Sequence, residues 1–177
     1  MLILAAKGVR RVLKDDNIVL LGHSGSGKTT LAESMLYLTG GTDRLGRIAD
    51  GNTVCDYDPE EIRRQISISL AVAPVEYDSC KINVLDVPGG FDFAGEVAEA
   101  VQAADAAVIV CSAKAGMSVG AEKAWKYCEK NSLPRLLYIS KTDEDHGDFA
   151  GVLSALQDKY GSAVCAVTAP MSDGTGV

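Results

Sequence analysis

The amino-acid sequence predicts a three-layer α/β/α domain built on a mainly parallel sheet, and three observations carry that prediction. Short apolar runs of strand length alternate with segments of helical period. A glycine-rich turn joins the first clear strand directly to the first clear helix. Over 177 residues, 47% hydrophobic and 23% charged side chains are the mix of one globular domain with an ample core.

Residues 17–21 are the first strand and run into the turn at residues 22–27, after which residues 28–38 read as a helix stopped by Gly40 and Gly41. Residues 42–65 are polar and without period, and they read as one long loop, a length that inside a compact domain is usually functional or disordered. Ile66, Ile68, Leu70 and Val72 alternate with Ser67, Ser69 and Ala71, and a turn at residues 77–80 leads to residues 82–86. This predicts one antiparallel hairpin strand on the otherwise parallel sheet.

Residues 93–104 read as a helix, 106–111 as a buried strand, 119–130 as a helix, and 135–139 as a buried strand after the break at Leu133 and Pro134. Phe149, Val152, Leu153 and Leu156 fall at i, i+3, i+4 and i+7 and mark the inner face of a final helix, with a last short strand at residues 163–167. There is no internal repeat, and residues 1–177 are expected to form a single domain.

A net charge of −7 excludes a protein held to nucleic acid by a general positive field, so sequence-specific nucleic-acid binding is not expected and any polyanion must meet a local site. Five cysteines, odd in number and without a Cys-x-x-Cys pair, argue for reduced thiols and hence the cytoplasm. Residues 1–6 are too short for a signal core, and Lys7, Arg10 and Arg11 follow them instead of preceding them. No run approaches the ~18 apolar residues of a membrane span. A monomer without membrane contact is expected. With only His23 and His146, a zinc site is not expected either.

Gly22, His23, Ser24, Gly25, Ser26, Gly27, Lys28 and Thr29 match G-x-x-x-x-G-K-[ST] between a strand and a helix, the context of a phosphate-binding P-loop. Backbone N–H groups and the helix N-terminus meet phosphate oxygens, Lys28 reaches the β and γ phosphates, and the Thr29 hydroxyl suits Mg²⁺. A plain strand-to-helix turn would explain the glycines but not Lys28 followed by Thr29. Asp86 closes an apolar strand before Val87, Pro88 and Gly89, where a Walker-B-type carboxylate helps hold Mg²⁺ through water. The competing reading is a carboxylate that merely starts a turn. Ser140, Lys141, Thr142 and Asp143 stand where a base-reading N-K-x-D motif would. Asp143 would accept from guanine N1–H and the 2-amino group, and Lys141 would lay its stem along the base. A helix N-cap cluster over residues 142–145 is the rival.

Taken together, these residues resemble the translational GTPases, and among them elongation factor G and its elongation-factor-G-like paralogues. Beyond the P-loop, the likeness includes Tyr37, residues 43–47, residues 56–64 leading to residues 66–69, Asp86 to Gly89, and Gly120 with Glu122, Lys123, Ala124 and Trp125, and it extends to about Gly174. The resemblance implies a P-loop NTPase fold with GTP and GDP as ligands, Mg²⁺ as cofactor, and the ribosome as partner of a full-length protein. It implies a nucleotide-binding set of Gly22, His23, Ser24, Gly25, Ser26, Gly27, Lys28, Thr29, Thr30, Asp86, Gly89, Lys141 and Asp143. Thr29, Ser67 and, through water, Asp86 would hold the metal, and Lys28 with the Gly89 N–H would meet the γ-phosphate. Residues 43–69 would be the first switch and residues 86–96 the second. The family continues after residue 170 into an inserted subdomain and further domains, so the chain is expected to be an excised nucleotide-binding domain.

Three residues depart from the family. Gly90 stands where elongation factors carry the His that positions the attacking water, so hydrolysis is expected to be slow, to use another group such as Asp92, or to be absent. Ser140 replaces the Asn that braces the P-loop and contacts guanine. Gly25, where many elongation factors have Asp, matches the paralogues. Two further expectations are bland ones: Trp125, Ala121 and Cys128 pack, and Arg63 and Arg64 pair with Glu60 and Glu61 on a solvated face instead of acting on transition-state charge. The functional expectation is a Mg-dependent GTPase of low intrinsic rate. A nucleotide-sensing module without useful hydrolysis is the alternative that Gly90 favours, and an ATP-using P-loop kinase is disfavoured by Asp143.

Overall fold

The structure, a computed structural model, describes residues 2–5 and 15–170. Lys7, Arg10 and Arg11, and the end of the resemblance at Gly174, lie outside them. Among the described residues seven strands form one sheet: β1 (Leu2–Ala5), β2 (Asp15–Gly22), β3 (Ala71–Tyr77), β4 (Cys80–Asp86), β5 (Ala106–Ser112), β6 (Arg135–Ser140) and β7 (Cys165–Ala166). Their order is β3-β4-β2-β5-β6-β1-β7. The centre, β4-β2-β5-β6, is parallel, and β3 pairs antiparallel with β4 as the expected hairpin.

Beyond the expected sheet, β1 is inserted antiparallel between β6 and β7, with Ile3 opposite Leu137 and Ala166. Leu2–Ala5, within the stretch weighed above only as a signal core, is thus a strand. Among the described residues α1 (Lys28–Leu38), α3 (Ala94–Ala103), α4 (Val119–Lys130) and α5 (Phe149–Tyr160) flank the sheet, and the short α2 (Pro59–Arg64) lies in the segment between α1 and β3. Val19, Leu21, Ala107 and Ile109 face α3, α4 and α5 in one core, which includes Val101, Trp125 and Leu156. Leu20, Val84, Val108 and Val110 face α1 in the other, against Ala32 and Leu36. Alternate residues of β2 and β5 therefore feed opposite cores, which is why these strands read as unbroken apolar runs.

Two expectations need correction. Residues 66–70 are not strand. In β3 it is Ala71, Ala73 and Val75 that are buried, while Val72 is 56% exposed. Continuing the alternation of residues 66–70 into the strand placed it one residue out of phase, and a one-residue slip exchanges the faces. Residues 42–65 are also not one loop. They contain a 3-10 turn, Ile48–Asp50, and α2, which is opened by Pro59 and by a capping box between Asp58 and Glu61. Trp125, Ala121 and Cys128 pack together in the core, as expected. No helix among the described residues is long and apolar enough to cross a membrane.

Candidate functional site

Parallel pairing puts the carboxyl ends of β2, β4, β5 and β6 at one edge, with Leu20 beside Asp86, Gly22 beside Val110, and Ser112 beside Ser140. In open α/β sheets that edge is where ligands bind. Here it gathers the P-loop, residues 86–90 and residues 140–143, three segments far apart in the chain.

The P-loop turn leaves β2 at Gly22, whose φ is +148° and where a Cβ would lie 2.5 Å from Val110 O. Only glycine fits there. The N-cap of α1 is Gly27, with no side-chain cap, so the first N–H groups of the helix stay open to an anion. Lys28 is 6% exposed and its Nζ donates to Gly22 O (3.3 Å) and His23 O (3.1 Å), which folds the ammonium back over the loop. Burial lowers its pKa, and the charges of Asp86 and Asp56 oppose that shift.

Thr29 Oγ1 donates to Asp86 Oδ2 at 2.7 Å and lies 3.2 Å from Ser67 Oγ. Asp86 is 1% exposed, and its other oxygen, Oδ1, has no hydrogen-bond partner within the chain. Burial raises its pKa to about 6, against the Thr29 hydrogen bond and the Lys28 charge, which both lower it. Asp56, which sequence reasoning missed as a site residue, is 4% exposed and lines the same cleft as Lys28, Thr29 and Ser67. Its Oδ2 also lacks a partner, and burial raises its pKa while a hydrogen bond from Ser67 lowers it.

Two buried carboxylate oxygens without partners, beside two hydroxyls, are a donor set for a hard cation. Among the described residues no group of three or more His, Cys, Asp or Glu side chains could hold a metal ion. A cation here would therefore complete its shell from hydroxyls, ligand oxygens and water, which is how Mg²⁺ is commonly bound.

Gly89 is pressed onto the P-loop: a Cβ there would lie 2.4 Å from Ser24 N and 2.6 Å from Lys28 Nζ. Gly90 has ordinary backbone angles (φ −76°, ψ 142°) and leads into the 3-10 turn Phe91–Phe93. Lys123 Nζ stands 3.8 Å above the Phe91 ring, and the His23 ring is 5.9 Å from it. His23 and Thr30 are exposed, and the backbone of His23 is packed against Gly120.

Ser140 Oγ donates to Ser26 O at 2.6 Å, with Cys111 O a further acceptor at 3.2 Å. The hydroxyl therefore ties the end of β6 to the P-loop. Lys141 has φ +57° and its Nζ lies 3.5 Å from Glu144, while Asp143 is exposed nearby. The rival N-cap at residues 142–145 is absent: α5 is capped by Asp148, which accepts from Gly151 N. Arg63 and Arg64 both pair with Glu60 on the exposed face of α2. Glu61, expected to join them, is instead buried.

The chain matches the elongation factor Tu GTP binding domain over residues 14–173. It is 40% identical over 158 residues to an elongation factor G-like protein of Mycobacterium tuberculosis, an overlap of 89% of this chain and 22% of that protein. It is 36% identical over 161 residues to the mitochondrial ribosome-releasing factor 2 of Drosophila melanogaster, covering 91% of this chain and 22% of that one. A crystal structure of a Thermus thermophilus protein superposes with a TM-score of 0.80 at 42% identity, covering 82% of this chain and 22% of that chain. The chain thus spans about a fifth of the length of these relatives. With that family matched over residues 14–173, nearly all of its length, the chain belongs to the elongation factor Tu GTP-binding domain family.

Proposed function

We propose that this chain binds GTP and GDP with Mg²⁺ and acts as the conformational switch of an elongation-factor-G-like protein that works on the ribosome in the cytoplasm. The observation that carries the reading is the Thr29, Ser67 and Asp86 cluster directly beside the buried Lys28 at the uncapped start of α1. Lys28, the P-loop N–H groups from Gly22 to Thr30 and the Gly89 N–H take the phosphates. Thr29, Ser67 and, through water, Asp86 hold the metal, which when bound neutralises charge between the β and γ phosphates. Lys141 and Asp143 select guanine, and Ser140 braces the loop in place of the family's Asn. Residues 1–177 act as one nucleotide-binding domain, monomeric and without sequence-specific contacts to nucleic acid.

Calorimetric titration with GDP and with a nonhydrolysable GTP analogue, with and without Mg²⁺, tests this reading. Both are expected to bind, more tightly with Mg²⁺, and unlabelled ATP is expected to compete poorly. No heat from either nucleotide, or equal competition by ATP, overturns it.

A second reading has its own observation. Gly90 offers no side chain at the family's water-positioning position, and the adjacent Phe91 is held under Lys123. This favours a nucleotide-sensing module with little hydrolysis. In Gly90→His the Cβ would lie 3.1 Å from the Phe93 ring, which must shift slightly to admit it, so circular dichroism accompanies the assay. Phosphate release with and without ribosomes separates the readings: slow release that the His variant accelerates supports the sensing module, and rapid release by the unaltered chain excludes it.

A further inference from the structure

Glu61 lies on a short helix whose other charged residues, Glu60, Arg63 and Arg64, pair with one another in solvent, yet it is 2% exposed. A carboxylate taken from water costs several kcal/mol unless its oxygens are hydrogen-bonded. Those of Glu61 are. Oε2 accepts from Asp58 N at 3.2 Å, and Oε1 accepts from Ile68 N at 2.8 Å and Ser69 N at 3.0 Å. All three donors are backbone groups, so this side chain directs the path of the chain.

The path concerned is the one that carries Ser67. Gln65 ends α2 in the left-handed region (φ 56°, ψ 38°) and turns the chain back. Residues 66–70 then have no strand partner. They are held by Ile66 N on Glu61 O, by the two bonds to Glu61 Oε1, and by Leu70 N on Glu96 Oε2 at 2.7 Å. The Glu61 carboxylate thus grips the two residues immediately after Ser67, whose hydroxyl stands 3.2 Å from Thr29 Oγ1.

We infer that Glu61 is a positioning residue: by holding residues 68 and 69 it presents Ser67 to the site of the metal and terminal phosphate, and so sets the preference of the chain for a nucleoside triphosphate over a diphosphate. The inference rests on the guanine-nucleotide reading above. A residue that only stabilised the fold would weaken both nucleotides alike. Removing one that orders the segment facing the third phosphate weakens the triphosphate alone, because a ligand shifts an equilibrium only by its differential contacts.

The test measures the affinities of fluorescent GDP and of a fluorescent nonhydrolysable GTP analogue, with Mg²⁺, for the chain and for Glu61→Ala, Glu61→Gln, Ser67→Ala and the Glu61→Ala/Ser67→Ala double variant, with far-UV circular dichroism to establish folding. Glu61→Ala is expected to lower the triphosphate-to-diphosphate ratio about tenfold while GDP affinity stays within about threefold, the scale of charge-assisted hydrogen bonds lost. Glu61→Gln retains one oxygen for Ile68 N and Ser69 N and is expected to lose about threefold. The double variant is expected to be no worse than Ser67→Ala, because both act through one hydroxyl. If the alanine variant does not fold, the glutamine variant decides. Equal weakening of both nucleotides, or an unchanged ratio in a folded Glu61 variant, overturns the inference alone, as does a wild-type chain that binds both nucleotides without preference. A wild-type chain that binds neither overturns the functional reading and this inference with it.

Discussion

Asp86→Asn is the most informative single substitution, because the buried carboxylate costs stability in the absence of a cation. Its pKa is raised from 3.8 to about 6, chiefly by burial, which corresponds to about 3 kcal/mol of preference for the neutral form. The sign follows from proton uptake. Below about pH 4 the group is protonated in both folded and unfolded chains and contributes no difference. Between about pH 4 and 6 the unfolded chain ionises first, so stability falls as pH rises, and above pH 6 the full penalty is present. Asn keeps an oxygen for the Thr29 hydroxyl (2.7 Å) but places an amide N–H₂ where Oδ1 lacks a partner, at a cost of about 1–3 kcal/mol. In chelator at pH 7.5 the variant is therefore expected to be more stable than the wild type by about 1 kcal/mol, or about 2–4 °C in Tm. This advantage should shrink and reverse by pH 4, a swing of about 3 kcal/mol in the difference between the two chains. Thermal unfolding by circular dichroism from pH 4 to 8 measures it, and Asp56 largely cancels because both chains carry it. A difference between the chains that does not change with pH refutes the reasoning. With GDP and Mg²⁺ added the order should invert, as the Asp86 carboxylate lets the wild type hold the cation more tightly than the variant.

Other substitutions report on single contacts. Ser140→Ala removes the 2.6 Å bond to Ser26 O and is expected to cost about 1 kcal/mol in stability with a several-fold loss of nucleotide affinity by titration; unchanged affinity would show that this brace is dispensable. Gly89→Ala puts a Cβ 2.4 Å from Ser24 N and 2.6 Å from Lys28 Nζ, so it should abolish preference for the triphosphate in the same titration while leaving far-UV circular dichroism intact. Gly22→Ala combines φ +148° with a 2.5 Å approach to Val110 O, and urea unfolding should show a loss of more than about 2 kcal/mol.

The local motifs were legible because each is a contiguous run with its own physics. Lys28 followed by Thr29 after spaced glycines marks a turn from strand into helix, and the stop at Asp86 after an apolar run marks a strand end. Burial of carboxylates was not legible. Asp56, Glu33 and Glu61 look in sequence like the solvated charges around them, yet they are 4%, 1% and 2% exposed. Glu33 accepts from Val54 N (2.7 Å) and Cys55 N (3.1 Å), a contact between α1 and residues 54–55 that no spacing encodes. One signal was present and unused: Asp58 with Glu61 three residues later is the spacing of a capping box, and it marks the start of α2.

By itself the sequence determined the alternation of strands and helices and the glycine-rich turn between β2 and α1, since these depend on neighbours a few positions apart. Only the tertiary structure decided that residues 2–5 complete the sheet, that Val72 faces outward, and that Ser140 with a short hydroxyl still reaches Ser26. It also decided which acidic side chains would be withdrawn from water to hold the backbone. These depend on contacts outside the local pattern, from Glu61 on the backbone of Ile68 and Ser69 to Ser140 on Ser26, where a hydrogen bond formed in a low-dielectric interior, and not local propensity, sets the outcome.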